Sequence, residues 1–253
     1  MLRNSTSILI RDNSRPTLRL NIISQNKSVG IVISDNCQGL LEENVISDNA
    51  CTGVEIKSSS NPILRKNKIH DNAGDGVHIT ENASGIFEEN DIFRNNNGIY
   101  IDDSGPILRK NIIHDGKEYG IYVSDNGRGI IEDNEIFGND SGEISIHGES
   151  NLFIKHNKIH NSKCSAVYLW SGAKCRLEYN TIYENNYYGV SISANANPIL
   201  RHNLISKNGM WAIEISDGGC GTFEYNDLRN NKYGAWKLSE DTKSKIKIFL
   251  NDE

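Results

Sequence analysis

Two sets of side chains in this sequence could carry acid–base chemistry. Histidine is followed directly by aspartate at His70–Asp71 and His114–Asp115, a pairing that can orient an imidazole as a general base. Adjacent carboxylates occur at Asp102–Asp103, and paired carboxylates are the groups that cleave glycosidic bonds. Whether either set can act depends on the elements that hold it.

Composition narrows the classes of protein to consider. The 253 residues carry a net charge of -6, which argues against nonspecific nucleic-acid binding because that function needs a basic surface. No apolar run is long enough to cross a membrane, and the N-terminus lacks the apolar core of a signal peptide. The five cysteines are an odd number without zinc spacing, so the sequence predicts a cytoplasmic protein with no metal and no cofactor.

An asparagine recurs along nearly the whole chain. The spacing is 23 residues, except for one interval of 21 residues between Asn90 and Asn111. The column consists of Asn21, Asn44, Asn67, Asn90, Asn111, Asn134, Asn157, Asn180, Asn203 and Asn226. Four positions at nearly fixed offsets from each asparagine are always apolar, which identifies a structural repeat. In the third repeat they are Leu64, Ile69, Val77 and Ile79.

The apolar positions within each repeat alternate with a period of two, which is typical of strands. Each repeat contains three short strands, such as "ILR", "NKIH" and "GVHIT", separated by turn residues. A repeat this short buries its apolar side only by stacking on its neighbours. The sequence therefore predicts an all-β, single-stranded right-handed parallel β-helix of about ten coils. We expect one domain over 1–253, with a partial coil at 1–15 and a strand and tail at 239–253.

Two sets of polar residues that recur at fixed spacing support this stacking of the coils. The recurrent asparagines, and a second column five residues later that is broken at Gly116 and Ser162, can stack as hydrogen-bonded ladders. Two residues before each asparagine, the charge alternates in sign, so that opposite charges lie next to each other in adjacent coils. This column reads Arg19, Glu42, Arg65, Glu88, Arg109, Glu132, Lys155, Glu178, Arg201 and Glu224. The unit is therefore a two-coil superrepeat of 46 residues.

The alternation of "NPILRKNKIHDN…GVHIT" with "SGIFEENDIFRNN…GIYI" resembles the β-helical repeats of F-box-only proteins. These repeats belong to the carbohydrate-binding and sugar-hydrolase (CASH) class, and the resemblance covers about residues 8 to 238. It implies a β-helical arm that recognises substrates for a ubiquitin ligase.

Because these residues are assigned to strands, we do not expect the histidine–aspartate pairs to be catalytic. Neighbouring side chains on a strand point to opposite sides, so His70–Asp71 and His114–Asp115 are predicted to be surface positions with their side chains apart. His156 and His160 would be about 13 Å apart on a strand, too far to share one metal ion. The cysteines fall at turns and are predicted to be unreactive thiols.

The outward positions of the third strand carry aromatic rings in the middle of the chain. Such rings on a flat sheet can stack on sugars or anchor a protein partner. The predicted binding residues are His78, Tyr100, Asp102, Tyr122, His147, Tyr168 and Trp170. The first functional interpretation is a non-catalytic recognition or scaffold module for a protein or glycan, and a purely structural spacer is another.

An enzyme is the alternative interpretation, with a catalytic set of Asp102, Asp103, Asp125 and His147. An aspartate pair near His147–Gly148 loosely resembles the polygalacturonase-like, pectin-degrading β-helix enzymes. The reaction would be hydrolysis or elimination in a polysaccharide. Adjacent coils, at about 4.8 Å, fall short of the carboxylate separation of about 6.5–9.5 Å that inverting hydrolysis requires.

Both ends of the repeat continue as strands. Ile8 and Ile10 match a third strand, and residues 244–250 match a first strand. A coil without a cap exposes unpaired backbone groups. We therefore expect an end-capping partner or self-association.

Overall fold

The computed structural model describes residues 8–253, in which every regular element is a β-strand. The strands form three parallel sheets, one for each strand of the repeat. The first-strand sheet contains Thr17–Arg19, Leu40–Glu42, Ile63–Arg65, Ile86–Glu88, Ile107–Arg109, Arg128–Glu132, Asn151–Lys155, Arg176–Glu178, Ile199–Arg201, Gly221–Glu224 and Ile246–Phe249. The second-strand sheet contains Ile22–Ser24, Val45–Ser47, Lys68–His70, Asp91–Phe93, Ile112–His114, Glu135–Phe137, Lys158–His160, Thr181–Tyr183 and Leu204–Ser206.

The third-strand sheet positions the residues on which function depends. It contains Ile8–Ile10, Ile31–Ile33, Val54–Ile56, Val77–Ile79, Ile99–Asp102, Tyr119–Ser124, Gly142–Ile146, Val167–Leu169, Val190–Ile192, Ile213–Ile215 and Trp236–Leu238. Each strand pairs with the equivalent strands of the coils before and after it, as Val54 does with Ile31 and Val77. This topology is the predicted all-β, right-handed parallel β-helix, with about 11 turns.

The core is the stack of apolar columns inside the coils. Leu64, Ile69, Val77 and Ile79 are fully buried, and the same positions are buried along almost the whole rod. The exceptions are Leu18, Trp236 and Leu238, which are partly buried. The predicted apolar columns therefore form one continuous core.

The asparagine ladders form as predicted. The backbone N–H and the side-chain Nδ2 of Asn111 both donate to Oδ1 of Asn134, at 2.9 Å each. Asn134 repeats the pattern with Asn157 at 3.0 Å, and its Nδ2 also donates to the carbonyl oxygen of Leu108. Each amide thus satisfies two buried backbone groups of the preceding coil and also bonds the amide of the next coil.

At the predicted break in the second ladder, a glutamate that was not predicted replaces the missing rung. Where Ser162 replaces an asparagine, the buried carboxyl of Glu143 accepts hydrogen bonds from the backbone N–H and the Nδ2 of Asn139. Glu143 occupies a column that is glycine or alanine elsewhere, as at Gly120 and Ala166. A long acidic side chain from one column therefore fills the space left by a short side chain in another.

The alternating charges pair across coils. Glu42 lies between Arg19, at 3.2 Å, and Arg65, and Lys155 lies 2.8 Å from Glu132. Opposite charges at each step disfavour a slip by one coil, because the slip would place like charges together.

Candidate functional site

Five aromatic side chains cluster on the outer side of the third-strand sheet, and we call them the aromatic platform. They are Tyr119, Tyr122, His147, Tyr168 and Trp170. Tyr119 and Tyr122 lie on Tyr119–Ser124, the longest strand of the sheet. Alternation along each strand turns Tyr122 and Tyr168 outward while Ile121 and Val123 fill the core. Tyr119, at the start of its strand, lies outside this alternation.

Most ring contacts of the platform are at large angles, whereas Tyr119 and Tyr122 stack at 20°. Tyr119 and Tyr168 meet edge to face at 81°, and Tyr122 and His147 are tilted by 44°. Trp170 is 41% exposed and lies 5.0 Å from the ring of His147 at a tilt of 38°. Because tilted rings do not cover one another, part of each face remains open to a ligand.

A glycine makes room for one of these rings. Gly142 has a φ of +152°, and a Cβ added there would lie 2.9 Å from Cε2 of Tyr168. The phenol oxygen of Tyr168 accepts a hydrogen bond from the backbone N–H of Ser165 at 3.2 Å. The backbone of this turn therefore fixes the orientation of the Tyr168 ring.

Two open depressions flank the platform. The first has a volume of about 240 Å³ and is lined by Tyr119, Ser145, Tyr168, Leu169, Trp170, Ser191 and Ser193. The second has a volume of about 390 Å³ and is lined by Asn96, Asn97, Glu118, Tyr119, Tyr122 and Trp170. Aromatic rings thus lie beside serine hydroxyls and side-chain amides, the combination that contacts both faces and hydroxyls of sugar rings.

Burial sets the protonation of two phenols in the platform. It raises the pKa of Tyr119 and the pKa of Tyr122, because a phenolate would lose its hydration there. Both phenols therefore remain hydrogen-bond donors at neutral pH. Tyr122 Oη lies 2.8 Å from Nε2 of His147, and it donates to that nitrogen when the neutral imidazole carries its proton on Nδ1.

The aspartates of the alternative catalytic set lie beside the platform. Asp102 accepts hydrogen bonds from Ser124 Oγ at 3.0 Å and Thr80 Oγ1 at 3.2 Å. Asp103 and Asp125 are exposed turn residues with left-handed backbone conformations, and Asp103 lies 3.9 Å from Arg128. Neither depression is lined by Asp102, Asp103, Asp125 or His147.

His78 and Tyr100 continue the column away from the depressions. Their rings stack in parallel, with centroids 4.5 Å apart and an angle of 4°. Tyr100 Oη lies 3.0 Å from Ser124 Oγ, which connects it to Asp102. These two residues cover part of each other's faces and do not line either depression.

Tyr119 was not predicted to belong to the site. It lies at the start of its strand, outside the columns that the repeat identified as strand positions. The sequence contained one signal for this residue. The position that is Tyr119 in one coil is Gly142 in the next coil, and the two residues pair. That replacement opens the space into which Tyr168 extends.

The prediction that histidine and aspartate point apart at His70–Asp71 and His114–Asp115 was wrong. Nδ1 of His70 lies 2.6 Å from Oδ2 of Asp71, and the corresponding distance at His114–Asp115 is 2.8 Å. Each aspartate has a φ near +55°, so the strand ends at the histidine and its alternation no longer applies.

These pairs nevertheless belong to a self-contained stack of rings on the second-strand sheet. The rings of His70, Phe93, His114, Phe137, His160 and Tyr183 stack in sequence, at angles of 3° to 21° and centroid distances of 4.6 to 5.1 Å. Arg94 pairs with Asp71 and is the main cause of the lowered pKa of that carboxyl, about 2. Parallel stacking covers the ring faces, so this column offers no platform for a ligand.

No metal centre forms from the histidines and cysteines of the described chain. His156 stacks on Tyr179, whereas His160 stacks on Phe137 and Tyr183. Within residues 8–253, no three His, Cys, Asp or Glu side chains are grouped to hold a metal ion. All five cysteines are free thiols, and burial raises the pKa of Cys175 to about 12.

The chain belongs to the right-handed β-helix family. The family described as "Right handed beta helix region" matches residues 6–143 and 118–248, which together span nearly the whole sequence. No curated protein sequence is significantly similar to the chain. No helix of residues 8–253 is long and apolar enough to cross a membrane.

Three solved structures illustrate the similarity in fold. A variant of the periplasmic alginate epimerase AlgG has a TM-score of 0.72 and 16% identity, with 100% of this chain and 79% of that chain covered. Pectate lyase Pel9A has a TM-score of 0.62 and 11% identity, with 99% and 70% covered. The Dettilon tailspike protein has a TM-score of 0.54 and 13% identity, with 93% and 60% covered.

Proposed function

We propose that the protein binds a polysaccharide on the aromatic platform, with the chain of sugars lying along the axis of the β-helix. The observation that carries this proposal is the first depression, in which Tyr119, Tyr168 and Trp170 surround serine hydroxyls. Aromatic faces stack on the apolar faces of sugar rings, and hydroxyls exchange hydrogen bonds with sugar hydroxyls.

A glycan fits this surface better than a folded protein partner does. The depressions are small and open, and Ser145, Ser191 and Ser193 are among the residues that line the first one. Protein interfaces are usually larger and centred on a desolvated aromatic or arginine anchor. The structural neighbours include a protein named as an alginate epimerase and one named as a pectate lyase, which also favours a carbohydrate ligand.

A glycan array followed by calorimetric titration of the bound oligosaccharides tests this function. We expect selective binding of one class of polysaccharide by the wild-type protein. The Tyr168→Ala/Trp170→Ala variant should lose that binding. Tyr179→Ala is the matched control, because Tyr179 is 51% exposed but belongs to a different stack of rings. Equal binding by wild type and the double variant would overturn the proposal.

A polysaccharide-active enzyme is the second candidate function, and the Tyr122–His147 hydrogen bond favours it. A phenol and an imidazole at 2.8 Å can serve as a proton donor and acceptor beside a bound sugar. Assays for new reducing ends and for unsaturated products distinguish a hydrolase from a lyase. Activity that disappears in His147→Ala and Asp103→Asn would support this function, and wild-type protein without activity on a bound polysaccharide would exclude both reactions.

Three further expectations from the sequence stay predictions. The resemblance to F-box-only proteins implies substrate recognition for a ubiquitin ligase, which a pull-down of ligase subunits would test. Light scattering would test the predicted self-association. Fractionation of the source cells would test the predicted cytoplasmic location.

A further inference from the structure

A second group of aromatic rings lies farther along the same side of the rod. Tyr188, Trp211 and Tyr233, with Lys232 and Lys237, form what we call the distal aromatic cluster. Tyr188 and Trp211 each stand two residues before the strands Val190–Ile192 and Ile213–Ile215, as Tyr119 does before Ile121. The cluster therefore continues the column of the aromatic platform.

The two aromatic groups are connected across the third-strand sheet. Tyr168 lies opposite Ser191, Ser191 lies opposite Glu214, and Glu214 lies opposite Lys237. Ser191 also lines the first depression. At about 4.8 Å per coil, Trp211 is about 10 Å beyond Trp170 along the axis.

Ring geometry distinguishes this cluster from the self-stacked columns. Tyr188 and Trp211 are tilted by 39°, and Trp211 and Tyr233 are tilted by 44°. The column His156, Tyr179, His202 and Tyr225 is stacked at angles of 8° to 12°. The tilted rings of the distal cluster leave parts of their faces open beside the ammonium groups of Lys232 and Lys237, which lie over them.

The cluster also carries two positive charges, and the carboxylate of Glu214 occupies the strand position opposite one of them, Lys237. Nζ of Lys237 donates to Tyr188 Oη at 2.7 Å and lies 5.0 Å from the centre of that ring. Nζ of Lys232 lies 5.1 Å from the centre of the Tyr233 ring. No carboxylate among residues 8–253 forms a salt bridge with either ammonium group, although the whole sequence has a net charge of -6.

We propose that the distal aromatic cluster is a second subsite for the same glycan chain and that it binds a sugar carrying a carboxylate or a sulfate ester. This proposal rests on the proposed function of the aromatic platform. The open rings contact the sugar face, and the ammonium groups of Lys232 and Lys237 attract its negative charge. Short oligosaccharides occupy the platform alone, and longer ones reach both groups.

The test uses oligosaccharides of increasing length on gluco- and galacto-configured backbones. Each is prepared in a neutral form, a form carboxylated at C6 and a sulfated form, and titrated against the full chain. The variant Tyr233→Ala removes a distal ring that is 52% exposed, and Tyr225→Ala removes a tyrosine that is 51% exposed on the self-stacked column. Lys237→Met removes one charge and keeps the length of the side chain. Circular dichroism melting confirms that each variant folds.

We expect Tyr233→Ala and Lys237→Met to weaken binding of long anionic probes by about tenfold, the effect of losing a well-packed contact. Tyr225→Ala should leave that binding unchanged, and short probes should not distinguish the three variants. If Lys237→Met weakens the binding of carboxylated probes more than that of sulfated probes, the ligand carries a carboxylate. The reverse result identifies a sulfate ester. Equal binding of long anionic probes by Tyr233→Ala and Tyr225→Ala, or no wild-type binding of any anionic probe, would overturn the subsite. Loss of binding only in Tyr168→Ala/Trp170→Ala would leave the platform as the sole site.

Discussion

Tyr122 and His147 are 25 residues apart in the sequence and share a hydrogen bond of 2.8 Å on the surface of the sheet. The bond is diagonal, because Tyr122 lies opposite Ser145 and His147 follows two residues after Ser145. It ties two adjacent coils together at the aromatic platform. It also sets the tilt of the imidazole between the rings of Tyr122 and Trp170.

Removal of the Tyr122 hydroxyl separates the two candidate functions. Tyr122→Phe keeps the ring and deletes the donor to His147, so we expect glycan affinity to change by less than about 1.5 kcal/mol, the net contribution of one hydrogen bond. If the protein is an enzyme, turnover should fall much more than affinity. Parallel titration and product assays measure both quantities, and equal losses in the two would argue against an acid–base role for the pair.

An alanine at position 142 should displace the Tyr168 ring of the aromatic platform. Gly142→Ala places a Cβ 2.9 Å from Tyr168 Cε2, which is too close for two carbon atoms, and strains a backbone with a φ of +152°. We expect weaker glycan binding and a loss of stability of about 1–3 kcal/mol, the cost of a non-glycine residue in this backbone region. Titration and urea unfolding of this variant measure the two effects. Unchanged binding would mean that the position of the Tyr168 ring is not critical.

Loss of one rung should destabilise the first asparagine ladder. Asn134→Leu leaves the donors of Asn111 and the carbonyl of Leu108 without partners, which costs about 1–3 kcal/mol. Asn186→Leu is the control, because Asn186 is exposed and outside both ladders. Urea unfolding gives the two free energies of unfolding, and a variant at position 134 that unfolds like the wild type would contradict the ladder.

The carboxyl of Glu143 should make stability depend on pH. Burial raises its pKa from 4.5 to about 8, so the folded protein holds a proton that the unfolded chain has lost between these values. The free energy of unfolding should therefore fall as pH rises through this window, by up to about 1.4 kcal/mol per pH unit, and level off above it. Glu143→Gln should remove this slope. An identical slope in the variant would assign the pH dependence to other groups.

The fold was predictable from the sequence because the same restrictions apply in every coil. An asparagine such as Asn134 must satisfy fixed backbone groups, and a core position such as Ile69 must fill the same space, so both recur at constant spacing. The alternating charges of Arg19 and Glu42 recur for the same reason.

The platform was only partly predictable because it depends on departures from the repeat. Tyr122, Tyr168 and Trp170 fall in identifiable strand columns, so their outward direction followed from alternation. Tyr119 and Gly142 precede those columns, and their effect arises from the tilt of side chains in adjacent coils. The orientations of His70 and Asp71 were missed because the left-handed turn begins directly after the histidine.

Calorimetric titration of the polysaccharide identified by the glycan array is the decisive measurement for the aromatic platform. Wild type, Tyr168→Ala/Trp170→Ala and Tyr179→Ala are compared at one pH and one salt concentration. We expect the double variant to lose measurable binding and Tyr179→Ala to bind like the wild type. Undiminished binding by the double variant, with its fold confirmed by circular dichroism, would contradict the assignment of the aromatic platform.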